Sequence, residues 1–139
     1  MPRALRILLM VTDLGFVAYW AISGGMAFGL LSVPPEWLFR DYHDPQIVAW
    51  NWSFMPIDLL ASTTGILALW AARHARDWQP LALVSMTLTF CAGLLALSFW
   101  AFQCSFDPAW WLSNLFLVAW PAALFVSSRG RYFAAVASV

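Results

Sequence analysis

The chain has 139 residues, of which 63% are hydrophobic and only 10% charged. Soluble domains carry roughly 25% charged residues, so this composition excludes an ordinary soluble domain and points to the membrane class. Seven acids balance seven arginines and no basic run exists to track a phosphate backbone, so nucleic acid is excluded as an expected partner.

The first apolar stretch runs from about Ala4 to Leu31. Arg3 and the run to Leu9 have the charged and apolar regions of a signal peptide, but Asp13 breaks the apolar core early and no clean small-x-small site follows. The expectation is a retained first span. A polar connection from Ser32 to Asp44 follows, in which Pro35 and Glu36 open a short segment, Glu36-Trp37-Leu38-Phe39-Arg40. Its mixture of acid, aromatic and arginine suits an amphipathic lid lying at the interface.

The second span is expected over residues 45–72, the third over 80–102 and the fourth over 108–127, with a short tail to Val139. Each is long enough for the ~20 residues that crossing requires. Asp44-Pro45 and Asp107-Pro108 mark two helix starts, because the acid satisfies free N–H groups and the proline has none to satisfy. The fold class expected is therefore all-α: a single-domain integral membrane bundle of four helices. Arg3 and Arg6, Arg73 and Arg76, and Arg129 and Arg131 fall on one side of that topology, while only Arg40 lies opposite. The positive-inside rule places both termini in the cytoplasm, as for a multi-pass protein of a bacterial cytoplasmic membrane. Of the ten tryptophans, Trp37, Trp50, Trp52, Trp100, Trp110 and Trp111 map to an outer belt, and Trp70 and Trp78 to an inner one. Trp20 and Trp120 fall deeper.

Two acids lie within the spans. A carboxylate at the bilayer centre costs about 2.5–3.5 kcal/mol on insertion scales, so it faces protein or a water-filled cavity. Asp58 projects near the midplane, and Asp13 to the cytoplasmic side of the first span's centre, with Ser62 and Thr87 as candidates for its layer. Asn51, Met55, Asp58, Ser62 and Gly65 fall at i, i+4, i+7, i+11 and i+14, one polar face of small residues that must turn inward. Asp13, Phe16, Trp20 and Gly24 form a comparable face. Towards the outside, Asn51, Gln103 and Asn114 project to one neutral polar layer. Pro56 and Pro121 each remove a backbone hydrogen bond, freeing the carbonyls of Trp52 and Leu117.

This arrangement predicts an intramembrane cavity centred on Asp58, with Asp13, Asn51, Gln103, Asn114, Trp20 and Trp120 as the other candidate ligand-binding residues. A carboxylate among aromatic faces suits a lipophilic amine or other organic cation. The competing reading is that the two acids hydrogen-bond neighbouring helices as interhelical glue. Cys91 and Cys104 would lie ~20 Å apart on one helix, too far for a disulfide. His43 and His74 sit in opposite connections, and no zinc motif, phosphate loop or nucleophile elbow is present, so neither a metal nor a cofactor is expected.

The runs Val11–Phe16 (VTDLGF), Phe39–Tyr42 (FRDY), Ala49–Asp58 (AWNWSFMPID), Ser62–Gly65 (STTG) and Phe106–Asn114 (FDPAWWLSN) resemble the YvaD-like bacterial membrane proteins. The resemblance covers nearly the whole chain, implies a four-span fold, and brings no activity with it. A looser likeness of layout is to the EXPERA group, which includes the sigma-2 receptor and sterol isomerases. In that group a lid joins the first two spans, and buried acids surround a lipophilic amine site. Four functions stay open at this level. They are a small-ligand binding protein; a proton-coupled exporter, including a homodimeric one; an accessory subunit docking a membrane-protein partner; and, weakest, an isomerase. Besides the membrane lipids, a lipophilic amine is the expected small partner.

Overall fold

In a computed structural model the chain is described over residues 1–34, 39 and 41–128. The proposed lid residues Glu36, Trp37, Leu38 and Arg40, and the tail arginines Arg129 and Arg131, lie outside the described residues. The described secondary structure is helical: α1 (Arg3–Ala27), α2 (Pro45–Ser53), α3 (Met55–Arg73), α4 (Gln79–Phe102) and α5 (Pro108–Ser128). Four stretches are long and apolar enough to cross a membrane, with α2 and α3 together forming the second, Pro45–Arg73.

The helix starts follow from the acid–proline pairs. Asp44 Oδ1 accepts from the backbone N–H of Gln46 at 2.8 Å, and Asp107 Oδ1 accepts from those of Ala109 at 2.9 Å and Trp110 at 3.1 Å. Proline follows each acid, where its missing N–H costs nothing. At the opposite ends of the spans, a residue in the left-handed region turns the chain out of the helix. Ala75 has φ 53° after α3 and Cys104 φ 51° after α4. In each case the next N–H reaches back to close the last turn, Arg76 to Ala71 at 2.9 Å and Ser105 to Trp100 at 3.0 Å.

The second span departs from the continuous helix expected over 45–72. Pro56 cannot donate to the carbonyl of Trp52, and the span divides at Phe54 instead of carrying a freed carbonyl through an unbroken helix. The N–H of Phe54 bonds to Asn51 at 3.1 Å, and the carbonyl of Phe54 accepts from the N–H of Asp58 at 3.0 Å. Asp58 is thus placed in the first turn of α3.

Packing runs in order, α1 on α3, α3 on α4 and α4 on α5. The bundle buries polar side chains among its apolar ones and turns many large apolar side chains outward. Val11, Leu14, Leu60, Leu95 and Leu112 are exposed, whereas Asp13, Ser62, Ser85 and Thr89 are buried. That inversion suits a chain whose surroundings are hydrocarbon. Two apolar clusters close the ends. Leu5 and Leu9 of α1, Ala68 of α3, Ala82 and Met86 of α4 and Trp120 of α5 join at the end where α1 begins. Phe39, Ile47 of α2 and Trp100 of α4 join at the other, with Trp50, Phe99 and Trp110 packed on them. Trp50 stacks on Phe99 with ring centroids 4.0 Å apart. One close helix contact depends on glycine: a Cβ at Gly93 would come within 2.9 Å of the Asn114 carbonyl oxygen.

Candidate functional site

Beside the apolar cluster of Phe39, Ile47 and Trp100 lies a cleft of about 550 Å³. Every span contributes to it: Phe16, Tyr19 and Trp20 from α1, Asn51 from α2, Asp58 from α3, Ala92 and Ala96 from α4, and Trp110, Ser113, Asn114 and Leu117 from α5. Phe54, at the break, lines it too, as do Phe39, Asp41 and Tyr42 of the first connection and Asp107 at the start of α5. The volume falls within the 300–1,000 Å³ typical of small-molecule sites.

Asp58 is held by α1. One carboxylate oxygen, Oδ2, accepts from the indole N–H of Trp20 at 2.9 Å. The other, Oδ1, is buried and has no hydrogen-bond partner among the described residues. Asp58 lies in the first turn of α3, just past the one-residue interruption at Phe54, whose backbone stays in the right-handed helical region. Discontinuous spans with polar groups at the break are a recurrent way of building sites at membrane depth. About two turns away along the second span, the Tyr19 hydroxyl donates to Asn51 Oδ1 at 2.8 Å. That bond leaves Asn51 Nδ2 buried without a partner among the described residues. Tyr19 and Trp20 meet edge to face at 5.0 Å, and Trp20 lies against Trp52 at 5.5 Å, so the two polar anchors stand on a packed aromatic wall.

Of the residues singled out by sequence, Asp58, Asn51, Trp20 and Asn114 come together in the cleft. Asn114 is buried, and its amide donates to the Trp110 carbonyl at 2.9 Å. Three others are placed elsewhere. Gln103 follows the last residue of α4 as its C-cap and is exposed, so the polar layer it was expected to complete has two members. Trp120 is buried in the apolar cluster around Leu9 and Met86, away from the cleft. Asp13 is fully buried but lies against Gly65 of α3 and does not line the cleft.

Asp13 has its own setting. Its backbone carbonyl accepts from Ser62 Oγ at 3.2 Å, whereas neither carboxylate oxygen has a partner among the described residues. The midpoint of α1 is Gly15, so Asp13 stands about 3 Å from the helix centre at 1.5 Å per residue, closer than the ends of the apolar run suggest. Thr87, expected in this layer, is exposed and returns its hydroxyl to Leu83 at 2.9 Å. The buried hydroxyls of α4 belong to Ser85 and Thr89.

Tyr19 and Phe54 are the aromatic residues within the spans that line the cleft and that sequence reasoning passed over. A signal existed for Tyr19: it is the one hydroxyl-bearing aromatic in α1, next to the deep Trp20. No signal in the sequence brings Asp41 or Tyr42 to the cleft, since their placement depends on the path of a connection. Among the described residues no three His, Cys, Asp or Glu side chains are grouped to hold a metal ion.

The profile of a family described as a family of unknown function (DUF5360) matches residues 5–129. The chain is also 45% identical over 120 residues to the uncharacterized protein YvaD of Bacillus subtilis (strain 168), covering 86% of each chain. No solved structure matches.

Proposed function

The chain belongs to the DUF5360 family, and from that premise we propose that it is a multi-pass protein of the bacterial cytoplasmic membrane that binds a small lipophilic cation in its intramembrane cleft. The observation that carries this reading is the pairing of Asp58 with its surroundings. Asp58, one of whose carboxylate oxygens has no hydrogen-bond partner among the described residues, belongs to the wall of a cleft that is otherwise largely aromatic and apolar. The charged residues lining that cleft, among those described, are all acids: Asp41, Asp58 and Asp107. An ammonium group gains charge pairing from Asp58 and cation–π attraction from Trp20, Tyr19 and Trp110, while an apolar tail fits against Phe16, Phe54 and Leu117.

Thermal-shift measurement on the detergent-purified protein with a panel of lipophilic amines tests the reading. Stabilisation of the wild type that disappears in Asp58→Asn, with the variant folded, is the expected result. Equal shifts in both proteins, or none in either, would overturn it and favour a structural subunit.

A further inference from the structure

The four spans form an open row. α1 packs on α3, α3 on α4 and α4 on α5, and α1 and α5 form no such packed pair among the described residues. They are drawn together at one end, where Leu5 and Leu9 of α1 share an apolar cluster with Trp120 of α5. The cluster at the other end includes Trp110 of α5 and no residue of α1. Burial along α5 follows the same division. Trp120 and Pro121 are buried, whereas between Pro108 and Val118 only Asn114 is.

The cleft lies on this seam. Phe16, Tyr19 and Trp20 line it from α1, and Ser113, Asn114 and Leu117 from α5. Ala109 and Ser113, one turn apart, line the cleft and are also exposed, so the cleft reaches the surface along that face of α5. The 21 residues of α5 span about 32 Å, close to the thickness of a hydrocarbon core. Ser113 lies about 8 Å in from the start of the helix, at a depth where the surroundings are acyl chains. Its hydroxyl donates to the Ala109 carbonyl at 2.8 Å, so its proton is satisfied within the helix and needs no water. Nearer the headgroups, Asp107 at the start of α5 and Asp41 give the cleft wall negative charge, at the level where the ammonium of a membrane-bound amine resides.

We propose that the cleft opens sideways into the lipid between α1 and α5 and takes a single-chain amphiphilic amine from that leaflet, with the alkyl chain lying in the seam. This inference rests on the reading of the cleft as a cation site. The arginine pattern makes the leaflet the outer one. A site with this access selects amines by their partition into the bilayer, and a chain longer than the cleft runs on into the lipid.

Spin labels on single cysteines in proteoliposomes test the seam. In a Cys91→Ala/Cys104→Ala background, Ser113→Cys reports on the seam and Leu95→Cys on an exposed position of α4. The label at position 113 should collide with oxygen, which concentrates in hydrocarbon, and hardly at all with a water-soluble nickel chelate. Saturating dimethyldodecylamine should at least halve the oxygen collisions at position 113, leave those at position 95 unchanged, and lose its effect in Asp58→Asn. Ala109→Cys repeats the measurement if Ser113→Cys fails to fold. Frequent collisions with nickel, or few with either reagent, would overturn the sideways opening. Dipolar broadening between labels would put a second copy on the seam and overturn it as well. Oxygen collisions that the amine leaves unchanged, in a protein it still stabilises through Asp58, would overturn the place of the chain and leave the cation site standing. Absence of any stabilisation that depends on Asp58 would overturn the cation site and this inference together.

Discussion

The carboxylate of Asp13 on α1 occupies the space that a Cβ would fill at Gly65 on α3. The close approach of these two helices thus rests on a buried acid meeting a residue with no side chain. Ser62, one turn earlier on α3, reinforces it by donating to the Asp13 carbonyl. Gly65→Ala should force the helices apart or the carboxylate aside, at a cost of about 1–3 kcal/mol as for other overpacked sites. The cost should largely vanish in an Asp13→Ala background, where the room exists. Reversible unfolding in mixed micelles, run as a double-mutant cycle, measures this coupling. Additive single effects would show that Asp13 and Gly65 do not share the space.

Sequence reveals much of this architecture because the signals are local. A capping acid followed by proline states where α2 and α5 begin, and the spacing of Asn51, Asp58, Ser62 and Gly65 states which face turns inward. Three features escape it for separate reasons. Projecting residues by depth places Gln103 beside Asn51 and Asn114 but says nothing of rotation or of where α4 stops. Gln103 falls just beyond that end, in solvent-facing surface. The apolarity of α4 is nearly uniform around its axis, so Thr87 and the truly buried Ser85 and Thr89 look alike in sequence. The loss of a hydrogen bond at Pro56 is predictable, but whether a helix continues past such a loss depends on tertiary packing. Here the chain breaks at Phe54 and gives Asp58 a first-turn position.

Topology is tested with a thiol already present. Cys104 is exposed just past the end of α4, and the arginine pattern places that end outside. In Cys91→Ala, a membrane-impermeant maleimide should label Cys104 in intact spheroplasts. In Cys91→Ala/Cys104→Ala/Arg76→Cys it should label only after lysis. Labelling of position 76 in intact spheroplasts would reverse the orientation.

The caps carry a modest, measurable stability. Asp107 Oδ1 receives two backbone N–H groups, from Ala109 and Trp110, while Asp44 Oδ1 receives one, from Gln46. Removing either acid as Asp→Ala should cost about 1 kcal/mol. Asp107→Asn, which keeps the accepting oxygen, should lose little. A loss for Asp107→Asn equal to that of Asp107→Ala would indicate that charge at the mouth of the cleft, and not capping, makes Asp107 important to stability.

The bond from the Trp20 indole to Asp58 is the strongest test of how the site is held. It is buried, 2.9 Å long, and joins residues thirty-eight positions apart on two different spans. Trp20→Phe keeps an aromatic ring in the wall but deletes the donor, leaving both oxygens of Asp58 without a protein partner. An unsatisfied buried polar group costs about 1–3 kcal/mol, so the variant should be destabilised by that amount. Asp58→Leu removes the group that needs the donor, and in that background Trp20→Phe should cost clearly less. Unfolding of the four proteins in one detergent gives the coupling energy directly. A cycle that closes to within about 0.3–0.5 kcal/mol of additivity would mean that the bond contributes nothing beyond ring packing. A coupling of 1 kcal/mol or more would identify Trp20 as the residue that holds the Asp58 carboxylate in place.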